Sequence, residues 1–302
     1  MGTTASGKSE LGVQLAKRFG GEVISADSRQ VYRGFDLCSG KITVREQDGV
    51  VHHLIDIRDV GDQFSVADFQ AEAYRLIPEI AARGALAIIV GGTGLYVDSV
   101  LYGYEFTGGP PDRAARAELE RMPDAELAAL LDAAAPQRRA ASDTYALNRR
   151  RMIRLIESAR SGGHVGYTHA PRFDILPLGA TWPKDVLGAR IKARLAERIG
   201  AGMTGEVEEY LGAGGDPGVM RALGLEFKHI CMYLSGEYAS AHDMAQQLEI
   251  EIRRFAKRQS TWFRRNGAIV WLDMAHDPCG QAARETERFL AGAAPGQAMR
   301  SC

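Results

Sequence analysis

The sequence predicts an α/β fold: a parallel sheet flanked by helices and interrupted by an all-helical insertion. Three observations predict it. Short apolar runs at 22–26, 54–57, 86–90, 175–180 and 268–272 alternate with helical patterns, and strands alternating with helices form parallel sheets covered on both faces. A glycine-rich loop opens the chain and feeds directly into a helix. Between residues 110 and 161 the strand pattern stops, and only Ala-, Arg- and Glu-rich helical sequence remains.

The elements follow in order. The first helix is expected over Lys8–Phe19, stopped by Gly20-Gly21. Ser65 with Asp68 three residues on reads as a capping box. It opens a helix that ends near Arg83-Gly84, with Pro78 inside as a kink. Gly108-Gly109-Pro110-Pro111 and Gly162-Gly163 bound the insertion. The core is thus expected at 1–108 and 166–302, with the helical insertion at 109–165. The core resumes at Phe173, and a long helix is expected over 239–265. A polar, Ala/Gly-rich tail follows residue 291.

Composition narrows the functional classes. The 302 residues are 45% hydrophobic and 25% charged, as in soluble globular domains. No apolar run approaches the ~20 residues that span a bilayer, and no basic region followed by an apolar stretch marks a secretory signal. A cytoplasmic protein without a membrane partner is the expectation, acting as a monomer by default. The cysteines are Cys38, Cys231, Cys279 and Cys302. None forms a C-x-x-C pair, so free thiols are expected. A net charge of −1 gives no global attraction to nucleic acid; any such surface must be a local patch.

The opening residues Gly2, Thr3, Thr4, Ala5, Ser6, Gly7, Lys8 and Ser9 fit G-x-x-x-x-G-K-[ST] at every fixed position. Glycines let the backbone curl so that its N–H groups point at phosphate oxygens. The helix N-terminus adds a favourable dipole. Lys8 supplies a point charge, and the Ser9 hydroxyl can ligate Mg²⁺. The sheet is therefore expected to be P-loop NTPase-like. Such a loop normally follows a buried strand, and here only Met1 precedes it. The first β-strand is expected to be missing from this chain. The motif indicates a diphosphate or triphosphate, and kinases, NTPases and some transferases share it.

The run 22–26 ends in Asp27-Ser28-Arg29-Gln30-Val31-Tyr32-Arg33-Gly34. Open α/β sheets place ligands at the carboxyl ends of their strands, so Asp27 should face the phosphate loop. It could act as a general base or support a magnesium ion through water. Equally, Asp27 and Ser28 could be turn caps. The residues alone leave both readings open.

The loop followed by D-S-x-Q-V-Y-R-G resembles the tRNA dimethylallyltransferase (tRNA isopentenyltransferase) family. Further blocks match in order: His52-His53-Leu54-Ile55-Asp56, Phe64-Ser65-Val66-Ala67-Asp68-Phe69, Gly91-Gly92-Thr93-Gly94-Leu95-Tyr96, and Asn148-Arg149-Arg150-Arg151 with Arg154 and Glu157. Arg221-Ala222-Leu223-Gly224-Leu225 and Ala256-Lys257-Arg258-Gln259-Ser260-Thr261-Trp262-Phe263 complete the set. The resemblance spans about residues 2–273. Departures are Ile42 where proline is usual, Leu225 where tyrosine is usual, and a short insertion.

The resemblance implies transfer of a dimethylallyl group from dimethylallyl diphosphate to the exocyclic amine of the adenosine 3′-adjacent to the tRNA anticodon, with release of diphosphate. The phosphate loop would hold the leaving group, with Mg²⁺ as cofactor and Ser9 as its protein ligand. Asp27 would accept the amine proton, Thr93 would lie beside it, and Arg221 would reach the diphosphate from the opposite side. The target adenine would leave its stack and enter a channel lined by Asp27, Ser28, Arg29 and Gln30, with Gln30 bonding a base edge. The anticodon stem-loop would also meet Arg116, Arg150 and Arg151 on the insertion and Arg254, Lys257 and Arg258 on the long helix. Arg253, Arg254, Lys257 and Arg258 share a helix face by i, i+4 spacing; the competing reading is a solvated face balanced by Glu249 and Glu251. Trp262, Phe263, His52 and His53 are expected to be structural. Three other functions share parts of the pattern: a P-loop small-molecule kinase, an adenylate prenyltransferase, and a nucleotide-switched RNA-binding protein without catalysis.

Overall fold

The computed structural model describes residues 1–106, 112–134, 149–161, 165–167 and 171–292. The chain divides into two units, one formed by Met1–Leu101 with Phe173–Cys302 and the other by Tyr102–Arg172. The Gly-Pro turn at 108–111, Asn148, Gly162-Gly163 and the tail beyond 292 lie outside the described residues.

The larger unit starts with the phosphate loop and helix α1 (Lys8–Phe19), whose bounds are those expected. Gly20 ends it at φ 63°, donating its N–H to the Ala16 carbonyl, the left-handed close that glycine favours. Strand β1 (Gly21–Ala26) follows, then the short helices α2 (Asp36–Ser39) and α3 (Val44–Gln47) and strand β2 (His52–His53). Helix α4 (Val66–Ala82) begins at the Ser65–Asp68 capping box. Strand β3 (Leu86–Gly91) and helix α5 (Gly94–Leu101) complete this half. The three strands form a parallel sheet in the order β2-β1-β3, with Val23 opposite His52 and Ile24 opposite Ile89.

Strand β2 differs from expectation. The run 54–57 is not a strand: the pairing covers His52 and His53, and Leu54 (φ 63°) and Asp56 (φ 55°) turn left-handed. Leu54 is buried without strand pairing. Asp56 is held by the buried Lys41 amine at 2.5 Å, which also donates to Asp36 at 2.5 Å and to the Tyr32 carbonyl at 3.1 Å. A local apolar run thus reads as a strand, while a distant lysine turns the chain out of the sheet.

In the smaller unit, strand β4 (Tyr104–Phe106), helices α6 (Arg113–Arg121), α7 (Asp124–Ala134) and α8 (Arg149–Arg160), and strand β5 (Val165–Tyr167) follow one another. The helices enclose Leu119, Leu127, Leu131, Met152, Ile153 and Ile156. Arg149 donates to the carbonyls of Leu119, Glu120 and Met122, closing the end of α6. The unit is not all-helical. An antiparallel pair, Tyr104 opposite Tyr167 and Phe106 opposite Val165, joins its two ends.

The larger unit resumes with strand β6 (Leu178–Thr181), helices α9 (Lys184–Gly200), α10 (Met203–Gly212), α11 (Pro217–Leu223), α12 (Leu225–Leu234) and α13 (Ala241–Phe263), strand β7 (Val270–Asp273) and helix α14 (Pro278–Leu290). Strand β6 begins three residues later than expected, and α13 lies within the expected 239–265. The inner face of α13 carries Met244, Leu248, Ile252, Ala256, Gln259 and Phe263, the spacing of a buried helical stripe. Strands β6 and β7 pair in parallel as a second, separate two-stranded sheet. Gly2 bridges to Ala180 of β6 in parallel, so the first two residues are strand-like at its edge. Among the described residues no helix is long and apolar enough to cross a membrane.

Candidate active site at the phosphate loop

The loop at residues 2–9 has the geometry its sequence demands. Ala5 (φ 59°) and Gly7 (φ 84°) adopt left-handed conformations, which turn successive N–H groups inward. No side chain caps the start of α1, so its first-turn N–H groups are left for an anion.

The loop is held from behind by residues distant in sequence. Gln259 accepts from the Thr4 N–H at 2.9 Å and donates to the Gly92 carbonyl at 2.8 Å. One buried amide thus joins the loop to the Gly91-Gly92-Thr93-Gly94 segment. A methyl on Gly92 would lie 2.7 Å from the Gln259 amide, and one on Gly94 would overlap the Trp262 ring. Both glycines are therefore required by close approach. Trp182 donates to the Ser6 carbonyl at 3.0 Å and Arg190 to the Ala5 carbonyl at 2.9 Å. The Arg190 guanidinium also stacks 4.7 Å over Trp182. Replacing Gln259 with leucine strands the Thr4 N–H and the Gly92 carbonyl. The expected cost is about 1–3 kcal/mol, or about 2–4 °C in Tm per kcal/mol, measurable by thermal unfolding.

Lys8 and Asp27 interact across the front of the loop. The Lys8 amine lies 3.3 Å from the Thr3 carbonyl. Burial pushes its pKa down to about 8; Asp27 opposes that shift and Arg194 adds to it. Asp27 follows β1 directly, and its Oδ1 accepts the Arg29 N–H at 2.8 Å. The cap reading of Asp27 is therefore correct, and it leaves Oδ2 for other work. Thr93 accepts from the Ser28 N–H at 3.1 Å, while its own N–H donates to the Ala26 carbonyl at 3.2 Å. Thr93 thus docks onto the carboxyl end of β1 beside Asp27.

Arg29 is largely desolvated, which lowers its pKa against the opposing field of Asp27, Tyr32, Glu226 and Tyr96. Its Nε would lie 3.0 Å from a methyl on Gly224, so it leans against the Arg221–Leu225 segment. Gln30 is already engaged at both ends. It accepts from Ser25 at 3.1 Å and donates to the Gly40 carbonyl at 3.2 Å. In this arrangement it is a staple, and bonding a base edge would require one of those bonds to open.

Other site residues lie in ion pairs, some of them local pairs that the sequence offered as the competing reading. Arg221 donates to Glu237 at 2.6 Å and to Ser235 at 3.0 Å; reaching a diphosphate would require that ion pair to separate. Arg116 is paired with Glu157 inside the smaller unit. Arg254 pairs with Glu251, and Arg253 with Glu249 and the Gly188 carbonyl, so part of that face is balanced by acids. Lys257 is exposed, and Arg258 lies over the Phe255 ring. Arg150 and Arg151 are exposed on α8. The structural readings of His53 and Trp262 hold: His53 meets Glu22 at 2.6 Å and Trp262 donates to Asp98 at 2.7 Å.

Sequence reading missed the arginines of α9. Arg190, Arg194 and Arg198 recur every four residues and so share one face. Arg190 holds the loop, Arg194 donates to the Gly40 carbonyl at 3.1 Å, and Arg198 pairs with Glu226 at 3.3 Å. Burial, and next Arg198, lower the pKa of Arg194. Their spacing was the available signal. A hollow of about 810 Å³ beside the loop is lined by Ser9, Lys41, Arg45 and Arg194 among others.

Among the described residues no group of three or more His, Cys, Asp and Glu is placed to hold a metal ion. A hard cation here would have to arrive with phosphate oxygens and take one protein ligand from the loop, the usual mode for magnesium. Ser9, partly exposed in the first turn of α1, fits that requirement.

Comparison with known proteins places this site in context. A family model described as IPP transferase matches residues 30–266. The tRNA dimethylallyltransferase 2 of Citrifermentans bemidjiense is 42% identical over 286 residues, covering 93% of this chain and 92% of that protein. The tRNA dimethylallyltransferase of Heliobacterium modesticaldum is 40% identical over 301 residues, covering 97% and 92%. The crystal structure of a tRNA isopentenylpyrophosphate transferase from Bacillus halodurans is 38% identical and superposes with a TM-score of 0.71, covering 97% of this chain and 94% of that one. A eukaryotic dimethylallyltransferase acting on tRNA, 23% identical, shares the fold with a TM-score of 0.79 over 98% of this chain and 79% of its own.

Proposed function

The chain belongs to the tRNA dimethylallyltransferase, or IPP transferase, family, and from that premise we propose how its residues carry out the transfer. The enzyme moves a dimethylallyl group from dimethylallyl diphosphate to tRNA. The acceptor is the N6 amine of the adenosine 3′-adjacent to the anticodon. The observation that carries the reading is the junction of the phosphate loop, Asp27 and Thr93 at the carboxyl end of β1.

In the reaction the amine nitrogen forms a bond to C1 of the dimethylallyl group. The C1–O bond breaks, and its electron pair leaves with the diphosphate. The amine proton passes to the Asp27 carboxylate. Asp27 is oriented by the Arg29 N–H at one oxygen, and Thr93 positions the acceptor beside it. Charge on the departing diphosphate is met by the loop N–H groups, the N-terminus of α1 and Lys8. Ser9 would hold a Mg²⁺ ion, which would supply further neutralisation of that charge. Burial of Lys8 strengthens its pull on the anion. The exposed cations Arg150, Arg151, Lys257 and Arg258 offer contacts to RNA phosphates.

Donor binding tests this reading. Calorimetry should show Mg²⁺-dependent binding of dimethylallyl diphosphate and little binding of ATP. Because the Lys8 pKa is lowered to about 8, the free site is partly deprotonated near that pH, and a bound anion raises the pKa again. Binding at pH 8 should therefore take up about half a proton, seen as a heat that varies with buffer ionisation enthalpy. At pH 6, where Lys8 is already charged, uptake should vanish. Tight ATP binding with hydrolysis would contradict the assignment.

A further inference from the structure

Two peptide planes border the site, one at the phosphate loop and one beside Asp27, and each is held at both ends. Thr3 and Thr4 share the first. Its carbonyl accepts the Lys8 amine at 3.3 Å, and its N–H donates to Gln259 Oε1 at 2.9 Å. Gly92 and Thr93 share the second. Its carbonyl accepts from Gln259 Nε2 at 2.8 Å, and its N–H donates to the Ala26 carbonyl at 3.2 Å. Thr93 Oγ1 in turn accepts the Ser28 N–H at 3.1 Å, so Thr93 grips the chain on both sides of Asp27.

One side chain joins the two planes. The Gln259 amide is planar, as are the peptide units on either side of it, so the series from the Lys8 amine to the residues flanking Asp27 has few soft torsions. Gln259 is 7% exposed and lies on the inner face of α13 with Phe263. Close packing holds the junction: a methyl on Gly92 would lie 2.7 Å from Gln259 Nε2 and 3.1 Å from the Gly2 carbonyl oxygen. The Thr4 N–H needs an acceptor and the Gly92 carbonyl a donor. A carboxamide offers both from one rigid group, whereas a carboxylate only accepts.

We propose that Gln259 is a positioning residue for the transfer: it sets the spacing between Lys8, which meets the leaving diphosphate, and Thr93 and Asp27, which meet the acceptor amine. This role rests on the prenyl-transfer reading. Gln259 is buried behind the loop, so it acts through these groups rather than on a substrate. The carbon that gains the nitrogen is the carbon that loses diphosphate, so an error in the spacing of the two halves falls on the reacting atoms. A displacement of about 1 Å there costs about 10²-fold in rate.

The test compares the parent with Gln259→Leu, which removes both bonds, and Gln259→Glu, whose carboxylate still accepts the Thr4 N–H but cannot donate to the Gly92 carbonyl. Each protein is assayed well below its Tm for single-turnover transfer to tRNA. The Kd and the number of sites are measured separately for dimethylallyl diphosphate and for tRNA. Both variants should lose about 10²-fold in kcat, with site numbers intact and both Kd values nearly unchanged. A kcat near the parent's in either variant, or a loss of kcat matched by a loss of binding sites, would overturn the proposal. Hydrogen exchange at the Thr93 amide gives a reading that needs no turnover. Adding Mg²⁺ and inorganic diphosphate should slow it by about tenfold in the parent, because the filled loop steadies the plane that Gln259 grips, and should not slow it in Gln259→Leu. Equal slowing in both would also count against Gln259. A parent that shows this slowing yet transfers no label to tRNA would sink the prenyl-transfer reading alone, with Gln259 still joining the loop to Thr93. If Gln259→Leu does not fold, Gln259→Glu carries both measurements.

Discussion

Replacing Asp27 with asparagine should lower kcat by about 10³-fold while leaving the Kd values for tRNA and for dimethylallyl diphosphate nearly unchanged. Asparagine keeps an Oδ1 that can accept the Arg29 N–H, which Asp27 accepts at 2.8 Å. The turn should therefore survive, and only the capacity to take a proton is lost. Alanine removes both, so Asp27→Ala should also loosen the turn and affect binding. The comparison separates the base from the cap, two roles the sequence left open. Single-turnover kinetics with separate binding measurements would check it. A kcat for Asp27→Asn within tenfold of the parent would remove Asp27 as the base.

Lys8→Ala should lower kcat/KM by about 10³-fold, or about 4 kcal/mol of transition-state stabilisation. In the proposed reaction Lys8 faces charge that grows as the diphosphate departs, so kcat should fall more than donor affinity. Affinity for tRNA should not change. The same variant should abolish proton uptake at pH 8, because the group whose pKa is lowered to about 8 is gone. Loss of activity with uptake unchanged would assign that proton to another group and weaken the role given to Lys8.

Much of the fold was legible because its signals are local. The G-x-x-x-x-G-K-S pattern, the Ser65 capping box and the four-residue stripe of α13 each lie within a few turns of chain. What escaped is non-local. Gln259 reaches Thr4 across 255 positions and Gly92 across 167, and no window of sequence contains both ends. Arg190 and Trp182 grip the loop from α9 and the end of β6 in the same way.

The run after His53 failed as a strand for a related reason. Leu54 is buried and Ile55 and Ile57 are partly buried, yet Lys41 holds Asp56 and the backbone turns left-handed. Cationic residues were legible as charges but not as free charges. Arg221 and Arg116 each face an acid that the fold brings up, whereas Glu251, beside Arg254, lies on the same helix turn and was legible. Lys257 of the same α13 face is exposed. Charge spacing locates a face, and only tertiary pairing decides what it offers to RNA.

In the proposed reaction the phosphate loop cradles a leaving diphosphate while Asp27 serves an adenosine of tRNA. The most direct measurement supplies dimethylallyl diphosphate, labelled in its alkyl carbons, together with Mg²⁺ and either bulk tRNA or AMP. Label should appear in tRNA, on an adenosine beside the anticodon, with release of one diphosphate per label and little label in AMP. Label confined to AMP would contradict the account and make the chain an adenylate prenyltransferase.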